Sequence, residues 1–354
     1  MIDPSSEYAY VRMGYGDGTF GPRIKSGDGA NFTGINRSLA DINGDGKIDI
    51  VMQDPGSNYI YVRFGNGDGI FGPRIKSGDG TNMSGVTRLL GDANGDGLTD
   101  AILVDPGSDY AYVSPANGKI PDLLKKVNGG LGLSPATLTY APLTDNATYT
   151  KDTGANSGTY PTMDIQSPLY VTSSVASGNG LGGVTTTNYK YGGLKAEVGT
   201  GRGLLGFRWI EATQVETGIT SRTEYRQDWP YVGLPSLVKK LFPGGGNAGV
   251  LSQTSSTYGC LNPANGNACV VAFGNRYFPY LSQSIESGWD LNGAALPVVT
   301  TSNQFDSYGN ATQVTVSTGD GYSKTTTHTY SNDTANPNWI LGRLLRSQVQ
   351  SITP

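Results

Sequence analysis

The sequence predicts an all-β protein, and three observations support this fold class. Glycine accounts for 52 of the 354 residues and proline for 19, so residues that interrupt helices are abundant. Segments rich in Thr, Tyr and Val alternate polar and apolar residues through the second half of the chain, as expected of half-buried strands. The first third carries an internal repeat of short strand-like segments joined by glycine-rich turns.

Composition and charge narrow the classes of function. Hydrophobic residues make up 36% of the chain, which suffices for a folded core at this length. The net charge of −4 arises from scattered charges without a basic patch, so we expect no nucleic-acid partner. No apolar run approaches the ~18 residues that span a bilayer, so we expect no transmembrane segment. The N-terminal segment lacks the apolar core of a secretory signal. Either export is independent of such a signal, by a route not visible in the sequence, or the chain is a fragment.

An internal repeat organises residues 1–118. Residues 3–29 align with residues 54–80 without a gap at a spacing of 51 residues, and a third copy opens at Asp105 and fades after Gly118. Each copy alternates side chains and then reaches a glycine-rich turn, which is typical of a β-hairpin. Four short strands in about 50 residues is the size of a β-propeller blade. The region is thus predicted to hold partial β-propeller blades, as two whole units and the first strand of a third.

Two acidic nonapeptides in this region have the pattern of a calcium loop. DINGDGKID occupies residues 41–49, and DANGDGLTD occupies residues 92–100. Oxygen-bearing side chains stand at positions 1, 3, 5 and 9, and glycine at position 6 permits the turn that brings the carbonyl of position 7 inward. Position 12 is Met52 or Leu103 rather than an acid, which argues against an EF-hand. The alternative to a calcium site is an Asx-rich turn without metal.

The repeat resembles the FG-GAP, or VCBS, repeat of integrin-type β-propellers, whose calcium loop follows D-x-D/N-x-D-G-x-x-D. Both nonapeptides match this pattern in full. The resemblance implies two Ca²⁺ ions that act as structural staples. Because a propeller needs at least about four blades, it also implies that upstream blades are missing. The implied ligands are Asp41, Asn43, Asp45, the carbonyl of Lys47 and Asp49 for one ion, and Asp92, Asn94, Asp96, the carbonyl of Leu98 and Asp100 for the other.

From residue 119 onward the pattern changes to strands separated by glycine-containing turns. Residues 120–127 are at most a short helix or connector, and residues 146–159 are the least patterned stretch, which predicts a loop. Segments with a period of two that are rich in Thr, Tyr, Val or Trp predict strands. The clearest of these segments are 184–191, 207–215, 222–226 and 298–305.

Short motifs mark this second region. They are IPDLL at 120–124, TNYKYGG at 187–193, GRGLLGFRWIEAT at 201–213, QDWPYVGLP at 227–235, FDSYGN at 305–310, YSND at 330–333 and LGRL at 341–344. The first four resemble the part that follows the propeller in the B components of bacterial Tc toxin complexes and in SpvB-like proteins. The last three resemble degenerate RHS, or YD, repeats. The resemblance divides the region into a toxin-B/SpvB-like middle part, 119–300, and the start of the RHS repeats, 301–354.

This resemblance also implies a function. In that family, RHS repeats build a hollow β-shell that encloses a toxic polypeptide, and the propeller docks on a pore-forming partner and gates release. The implied partners are therefore a pore-forming toxin component and a C-terminal toxin or cargo polypeptide. The implied location is secreted and extracellular, in a bacterial system.

Other patterns do not predict catalysis. The G-x-G-x-x-G at 201–206 precedes a strand-like segment, whereas a dinucleotide site needs a helix there. His328, the single histidine, lies in an alternating stretch and is predicted to be a plain strand residue. Cys260 and Cys269 flank a turn-forming loop. A disulfide would form there in an oxidising compartment, and a reduced pair would persist inside the cell.

We therefore predict a non-enzymatic scaffold, in which calcium-stabilised blades lead into the early strands of an RHS-type toxin shell. The alternative is a calcium-dependent extracellular adhesin, or host-surface binding module, that recognises a protein or glycan. Docking to a pore-forming toxin component would favour the scaffold. Cell or glycan binding without such a partner would favour the adhesin.

Overall fold

The structure is a computed structural model that describes residues 7–30, 33–118, 123–130, 134–243, 249–270, 275–335 and 339–354. Within these ranges the chain is built from strands, and the one named helical element is a 3-10 turn at Gly154–Asn156. The predicted all-β fold class is confirmed. No helix in the described ranges has the length and apolar character needed to cross a membrane. Of the predicted connector at 120–127, residues 120–122 lie outside the described residues, and the rest includes a short strand rather than a helix.

The chain divides into two compact units. The first comprises Met1–Leu124 with Ser167–Leu169, and the second comprises Lys125–Gln166 with Tyr170–Pro354. The division falls six residues beyond the predicted end of the repeat region at residue 118, and a tripeptide from the second region belongs with the first unit. The further boundary predicted at residue 300 is a distinction between sequence motifs and stays a prediction.

Three antiparallel sheets form the first unit. They are β1–β2, β3–β6 in sequential order, and β7–β9 in sequential order. The strands are β1 (Ala9–Val11), β2 (Ile24–Ser26), β3 (Asn36–Ala40), β4 (Asp49–Gln53), β5 (Ile60–Arg63), β6 (Ile75–Ser77), β7 (Thr87–Gly91), β8 (Asp100–Val104) and β9 (Ala111–Ser114).

Strands that stand 51 residues apart occupy equivalent places in successive sheets. Thus β1, β5 and β9 are equivalent, as are β3 and β7. In the described residues only β3–β6 is a complete four-stranded sheet, while β1–β2 corresponds to its last two strands and β7–β9 to its first three. The structural unit therefore begins near residue 36, in the middle of the sequence repeat. In the sheets β3–β6 and β7–β9, hydrogen bonding joins strands that the sequence repeat assigns to different copies.

The core of the first unit lies on the strands that follow the acidic loops. All five residues of β4 are buried, and Ile50 and Met52 pack with Ala9 against Tyr61 and Phe71. Both faces of β4 are covered, as its uninterrupted apolar run predicts.

A buried ion pair joins the first two sheets. Arg63 at the end of β5 contacts Glu7 through two parallel hydrogen bonds, with Nε to Oε1 at 3.0 Å and Nη2 to Oε2 at 2.7 Å. Arg63 Nη1 also donates to the Gly72 carbonyl at 2.8 Å. Hydrogen bonds to Glu7 raise the pKa of Arg63 further above its ordinary value, so the guanidinium stays charged. Such two-point contacts fix direction as well as distance.

The second unit contains one large sheet and one small sheet. Its strands are β10 (Lys126–Val127), β11 (Ala136–Pro142), β12 (Tyr149–Thr150), β13 (Thr162–Asp164), β14 (Tyr170–Gly178), β15 (Val184–Gly192), β16 (Lys195–Glu197), β17 (Gly203–Gly206), β18 (Trp209–Gln214), β19 (Thr220–Tyr225), β20 (Pro235–Leu241), β21 (Val250–Leu261), β22 (Phe278–Gly288), β23 (Val299–Phe305), β24 (Ala311–Thr318), β25 (Ser323–Asp333) and β26 (Ile340–Ile352). The four predicted strands are all present, and their ends differ by at most two residues.

The large sheet has 14 strands in the order β10-β11-β14-β15-β18 and then β19 to β26 in sequence, with β12 pairing alongside β15. From β18 onward each strand pairs antiparallel with the next one along the chain, and this ladder continues across residue 300. The small sheet is β13-β16-β17. A hydrophobic cluster of Leu143, Tyr149 and Leu194 is buried in this unit. Tyr149, within the predicted loop at 146–159, thus proves to be a core residue.

Candidate functional site

Each acidic loop connects two neighbouring strands. The first loop joins β3 to β4, and the second joins β7 to β8, so the predicted position between strands is correct. Gly46 and Gly97, at position 6, have φ values of +77° and +85°. Residues other than glycine rarely adopt this backbone conformation, which explains why position 6 is glycine in both loops.

The aspartate at position 1 organises the loop backbone. Asp41 Oδ1 accepts hydrogen bonds from the amides of Gly44 at 2.8 Å and Asp45 at 3.2 Å, and its Oδ2 accepts one from Gly46 at 2.8 Å. Asp92 makes the same three contacts in the second loop. This carboxylate therefore holds the turn by accepting hydrogen bonds from three backbone amides of the same loop.

Positions 3 and 5 contact each other. Asn43 Nδ2 lies 3.3 Å from Asp45 Oδ2, and Asn43 Oδ1 accepts the Asp45 amide at 3.1 Å. In the second loop, Asn94 Nδ2 lies 3.0 Å from Asp96 Oδ2 and its Oδ1 accepts the Asp96 amide at 2.9 Å. In each loop, the predicted ligand side chains at positions 3 and 5 are therefore in contact.

The aspartate at position 9 is the most buried member of each loop. Asp49 and Asp100 are both 0% exposed. Asp49 accepts hydrogen bonds from the amides of Ile42 and Gly65, each at 2.9 Å. Burial raises the pKa of Asp49, and the negative charges of Asp41 and Asp45 raise it further. A buried carboxylate beside two others is an arrangement that a cation would stabilise.

Position 7 distinguishes the two loops. In the first, Lys47 Nζ lies 3.6 Å from Asp45 Oδ2, so the loop carries a cation of its own. The second has Leu98 there, and this side chain is buried. The two loops therefore differ in charge although their oxygen-bearing side chains are the same.

Each acidic loop has oxygen donors of the types that a calcium ion needs. Carboxylate, amide and carbonyl oxygens are the ligands that Ca²⁺ prefers, so the chemistry of the set fits. Within the described ranges, however, no three His, Cys, Asp or Glu side chains converge as a metal-holding group. The carboxylates of each loop point instead toward backbone amides, as in Asx turns. Calcium binding stays a prediction.

The structure links the sulfurs of Cys260 and Cys269 across a hairpin. Their Cα atoms are 5.3 Å apart, and the Cys269 amide donates to the Cys260 carbonyl at 3.0 Å. This placement suits a disulfide, and the oxidation state in solution stays a prediction. His328 lies within β25 opposite Ser347. Residues 201–206 lead through β17 to β18, both strands, so the helix that a dinucleotide site requires does not follow them.

Sequence reasoning missed a buried ionic cluster in the second unit. Asp152 is 6% exposed, and its carboxylate accepts two hydrogen bonds from Arg208, at 2.8 and 2.5 Å. Lys195 Nζ lies 3.2 Å from the same carboxylate. Burial raises the pKa of Asp152, but hydrogen bonds from Arg208 and Lys195 outweigh burial and hold the pKa below its ordinary value. Asp152 and Arg208 are 56 residues apart, and no local pattern pairs them.

Two recognised motifs meet at this cluster. A Cβ atom at Gly192 would overlap the indole of Trp209, and one at Gly193 would overlap the Asp152 carboxylate. The glycines of TNYKYGG are therefore needed because GFRW packs against them. The only sequence signal for the cluster was that both motifs resemble the same toxin family.

Three further motifs meet at a second polar cluster. Asp306, in the turn after β23, accepts hydrogen bonds from Asn310 Nδ2 at 2.8 Å and Asn332 Nδ2 at 3.1 Å. Asn332 Oδ1 accepts the amide of Gly342 at 2.8 Å. FDSYGN, YSND and LGRL thus form one hydrogen-bonded network at the ends of β23, β25 and β26.

Comparison with known proteins supports the assigned fold class. Residues 67–233 match the family model described as the insecticide toxin TcdB middle/N-terminal region. No protein with a curated description matches the chain. Over that stretch the chain is similar in sequence to a Tc toxin component.

Solved structures extend the similarity to the fold of nearly the whole chain. The crystal structure of TcdB2-TccC3 matches 95% of this chain with a TM-score of 0.72 and 11% identity. The TcdB2-TccC3-TEV structure matches 99% with a TM-score of 0.74 and 11% identity. The Tc holotoxin pore of Photorhabdus luminescens, with a mutation in TccC3, matches 94% with a TM-score of 0.70 and 12% identity. The chain spans 20% to 21% of the length of these three solved chains.

Proposed function

We propose that this chain is a structural, non-enzymatic part of a secreted bacterial Tc-type toxin. The first unit docks on a pore-forming partner, and the large sheet of the second unit contributes to a shell around a toxic polypeptide. The observation that carries the proposal is the match of 94% to 99% of the chain to structures of Tc toxin components. The continuous ladder from β18 to β26 supports it, because each of these strands extends the sheet beside the strand before it.

The side chains of β23 to β25 in the large sheet suit the wall of a shell. The strands β23 to β25 carry Thr, Ser, Asn and Gln at successive positions, so polar groups point to both faces. Facing pairs hydrogen-bond, such as Thr315 with Thr325 at 3.1 Å between their hydroxyl oxygens. A sheet that is polar on both faces needs no second layer to bury either of them.

In the proposed function each acidic loop binds one Ca²⁺ as a staple of the first unit. The burial of Asp49 and Asp100 supports this role, because each carboxylate fixes the start of a core strand. A cation bound at the adjacent oxygens would offset their mutual repulsion. It would stabilise the folded unit only to the extent that it binds the folded state in preference to the unfolded chain.

A non-catalytic role is supported by the state of the buried ionic cluster. Asp152 and Lys195 are buried and Arg208 is partly buried, and the carboxylate of Asp152 pairs with both cations. The depressed pKa of Asp152 suits a permanent ion pair and does not suit a proton donor or acceptor near neutral pH.

The proposal is tested by measuring binding of the 354-residue chain to an immobilised pore-forming subunit of a Tc toxin, with calcium and with a chelator. We expect saturable binding that is stronger with calcium and weaker in the Asp45→Ala and Asp96→Ala variants. Asp17→Ala is the matched control, since Asp17 is an exposed aspartate of a turn outside both loops. Absence of binding to the subunit, together with calcium-dependent binding to cells or glycans, would replace the proposal with the adhesin hypothesis.

A further inference from the structure

A pair of tyrosines on the first unit is covered by two cations in each of two successive repeats. In the β1–β2 hairpin, Lys25 Nζ lies 3.5 Å from the ring centre of Tyr8, and Arg23 stacks over Tyr10. In β5–β6, Lys76 Nζ lies 3.5 Å from the ring centre of Tyr59, and Arg74 covers Tyr61. The covering strand carries the sequence Arg-Ile-Lys-Ser in both copies.

The tyrosines at the equivalent positions of the third repeat, Tyr110 and Tyr112, are not covered by cations among the described residues. Tyr110 is 69% exposed and Tyr112 is 45% exposed, whereas Tyr59 and Tyr61 are half-buried. The strand β9, which carries Tyr112, is the last in its sheet, and among the described residues no strand pairs with its outer edge. The edge therefore offers unpaired backbone groups beside two exposed aromatic rings.

The covered repeats also define the shape of the covering segment. The glycines two residues after each lysine are Gly27 and Gly78, and a Cβ there would overlap the carbonyl of Glu7 or Asn58, just before β1 or β5. The next glycines, Gly29 and Gly80, lie against the rings of Tyr8 and Tyr59, and a Cβ there would overlap the ring. Both pairs have positive φ. A segment that fits this surface thus follows the pattern Arg-x-Lys-x-Gly-x-Gly.

We propose that the outer edge of β9 is a binding site for an extended basic peptide segment of a partner protein with the pattern Arg-x-Lys-x-Gly-x-Gly. The segment adds to the sheet antiparallel, in the register of β5 and β6, where Tyr61 stands opposite Lys76. In that register the lysine of the peptide stands opposite Tyr112 and its ammonium covers Tyr110, while the arginine covers Tyr112. Backbone pairing supplies affinity, and the two cation–π contacts select basic residues. This site does not depend on the proposed toxin function.

The probe for this site is a fluorescent peptide, IFGPRIKSGDGT, which copies residues 70–81 of the chain. Its binding to the full 354-residue chain is followed by fluorescence anisotropy. We expect saturable binding that weakens at least tenfold when the arginine and lysine of the peptide are replaced by glutamate. Replacing the two glycines that correspond to Gly78 and Gly80 by alanine has a similar effect, because the methyl groups overlap the sheet and the tyrosine ring.

Protein variants locate the site. Tyr112→Ala weakens peptide binding at least tenfold, while Tyr112→Phe keeps the ring and retains most of it. Tyr322→Ala removes another exposed tyrosine and leaves binding unchanged. Hydrogen exchange slows at residues 110–114 when the peptide is added. The proposal is overturned if the peptide does not bind, if Tyr112→Ala binds it as well as the unmodified chain does, or if the protected residues lie elsewhere. It is also overturned if the peptide-free chain self-associates through β9.

Discussion

Asn332 on β25 donates a hydrogen bond to the carboxylate of Asp306, in the turn between β23 and β24, at 3.1 Å. The two residues belong to separate motifs, YSND and FDSYGN. Asn310 shares the same carboxylate oxygen at 2.8 Å. A turn and a strand that are 26 residues apart in sequence are thus fixed by one acid. This contact gives a physical reason for the aspartate of FDSYGN and the asparagine of YSND.

We expect Asp306→Ala to lower the free energy of unfolding by about 2–3 kcal/mol, because several donors lose a partly buried charged acceptor. Asn332→Ala should cost about 1 kcal/mol, and the double variant should show a coupling of about 1 kcal/mol. Urea unfolding measures all three values. Asp290→Ala, at an exposed turn aspartate, is the control and should change little. Strictly additive losses would contradict the shared contact.

The ion pair of Asp152 and Arg208 should be far more important than the exposed pair of Asp228 and Arg226, although both have two hydrogen bonds. We expect Asp152→Ala to cost about 3 kcal/mol, since it leaves Arg208 and Lys195 partly buried without their acid. Asp228→Ala should cost less than about 1 kcal/mol. Thermal and urea unfolding measure both. Similar losses from the two variants would show that burial does not decide the strength of these pairs.

The stabilising effect of Asp152 should also depend on pH. Its pKa is lower in the folded protein than its ordinary value, so its contribution is present above the unfolded pKa of about 3.9 and is lost as the pH falls through the folded pKa. The stability difference between the unmodified chain and Asp152→Asn should therefore shrink below about pH 3.9. Urea midpoints measured between acidic and neutral pH give this difference. A difference that is constant with pH would contradict the assignment.

Gly192→Ala should destabilise the second unit by about 1–3 kcal/mol, because the added methyl group overlaps the Trp209 indole. Gly319→Ala is a matched control, since its added Cβ would meet its neighbours only at ordinary contact distances. Neither glycine has a positive φ, so backbone strain does not confuse the comparison. Melting temperatures distinguish the two variants. Equal melting temperatures would mean that the indole moves aside without cost.

Calcium titration into the chelator-treated chain should give two ions per chain and a higher melting temperature. Asp45→Ala and Asp96→Ala should lower the melting temperature with calcium and have much less effect without it. Lys47→Leu should strengthen binding at the first loop, because it removes an ammonium that lies 3.6 Å from Asp45 Oδ2. Calorimetry with parallel thermal melts measures these effects. Equal losses with and without calcium would leave only the turn-forming role of the aspartates.

The sequence by itself determined the all-β class, the 51-residue repeat, the acidic loops between strands and four strands of the second region. These features depend on local patterns, namely alternation, glycine turns and short apolar runs, which are visible in a single stretch of chain. Tertiary structure decided what joins those stretches. Strand pairing sets the sheets out of phase with the repeat, because the hydrogen bonds of β3 to β6 cross the boundary between copies.

Long-range contacts also decided which polar residues are buried. Asp152 lies in a stretch without pattern, yet Arg208 neutralises it from 56 residues away, and that pairing makes its burial tolerable. The place of Glu7 beside Arg63 has the same origin. Charge balance in a core depends on distances across the fold, whereas the order of residues records only distances along the chain. For that reason the motifs could be recognised from the sequence, but their contacts could not.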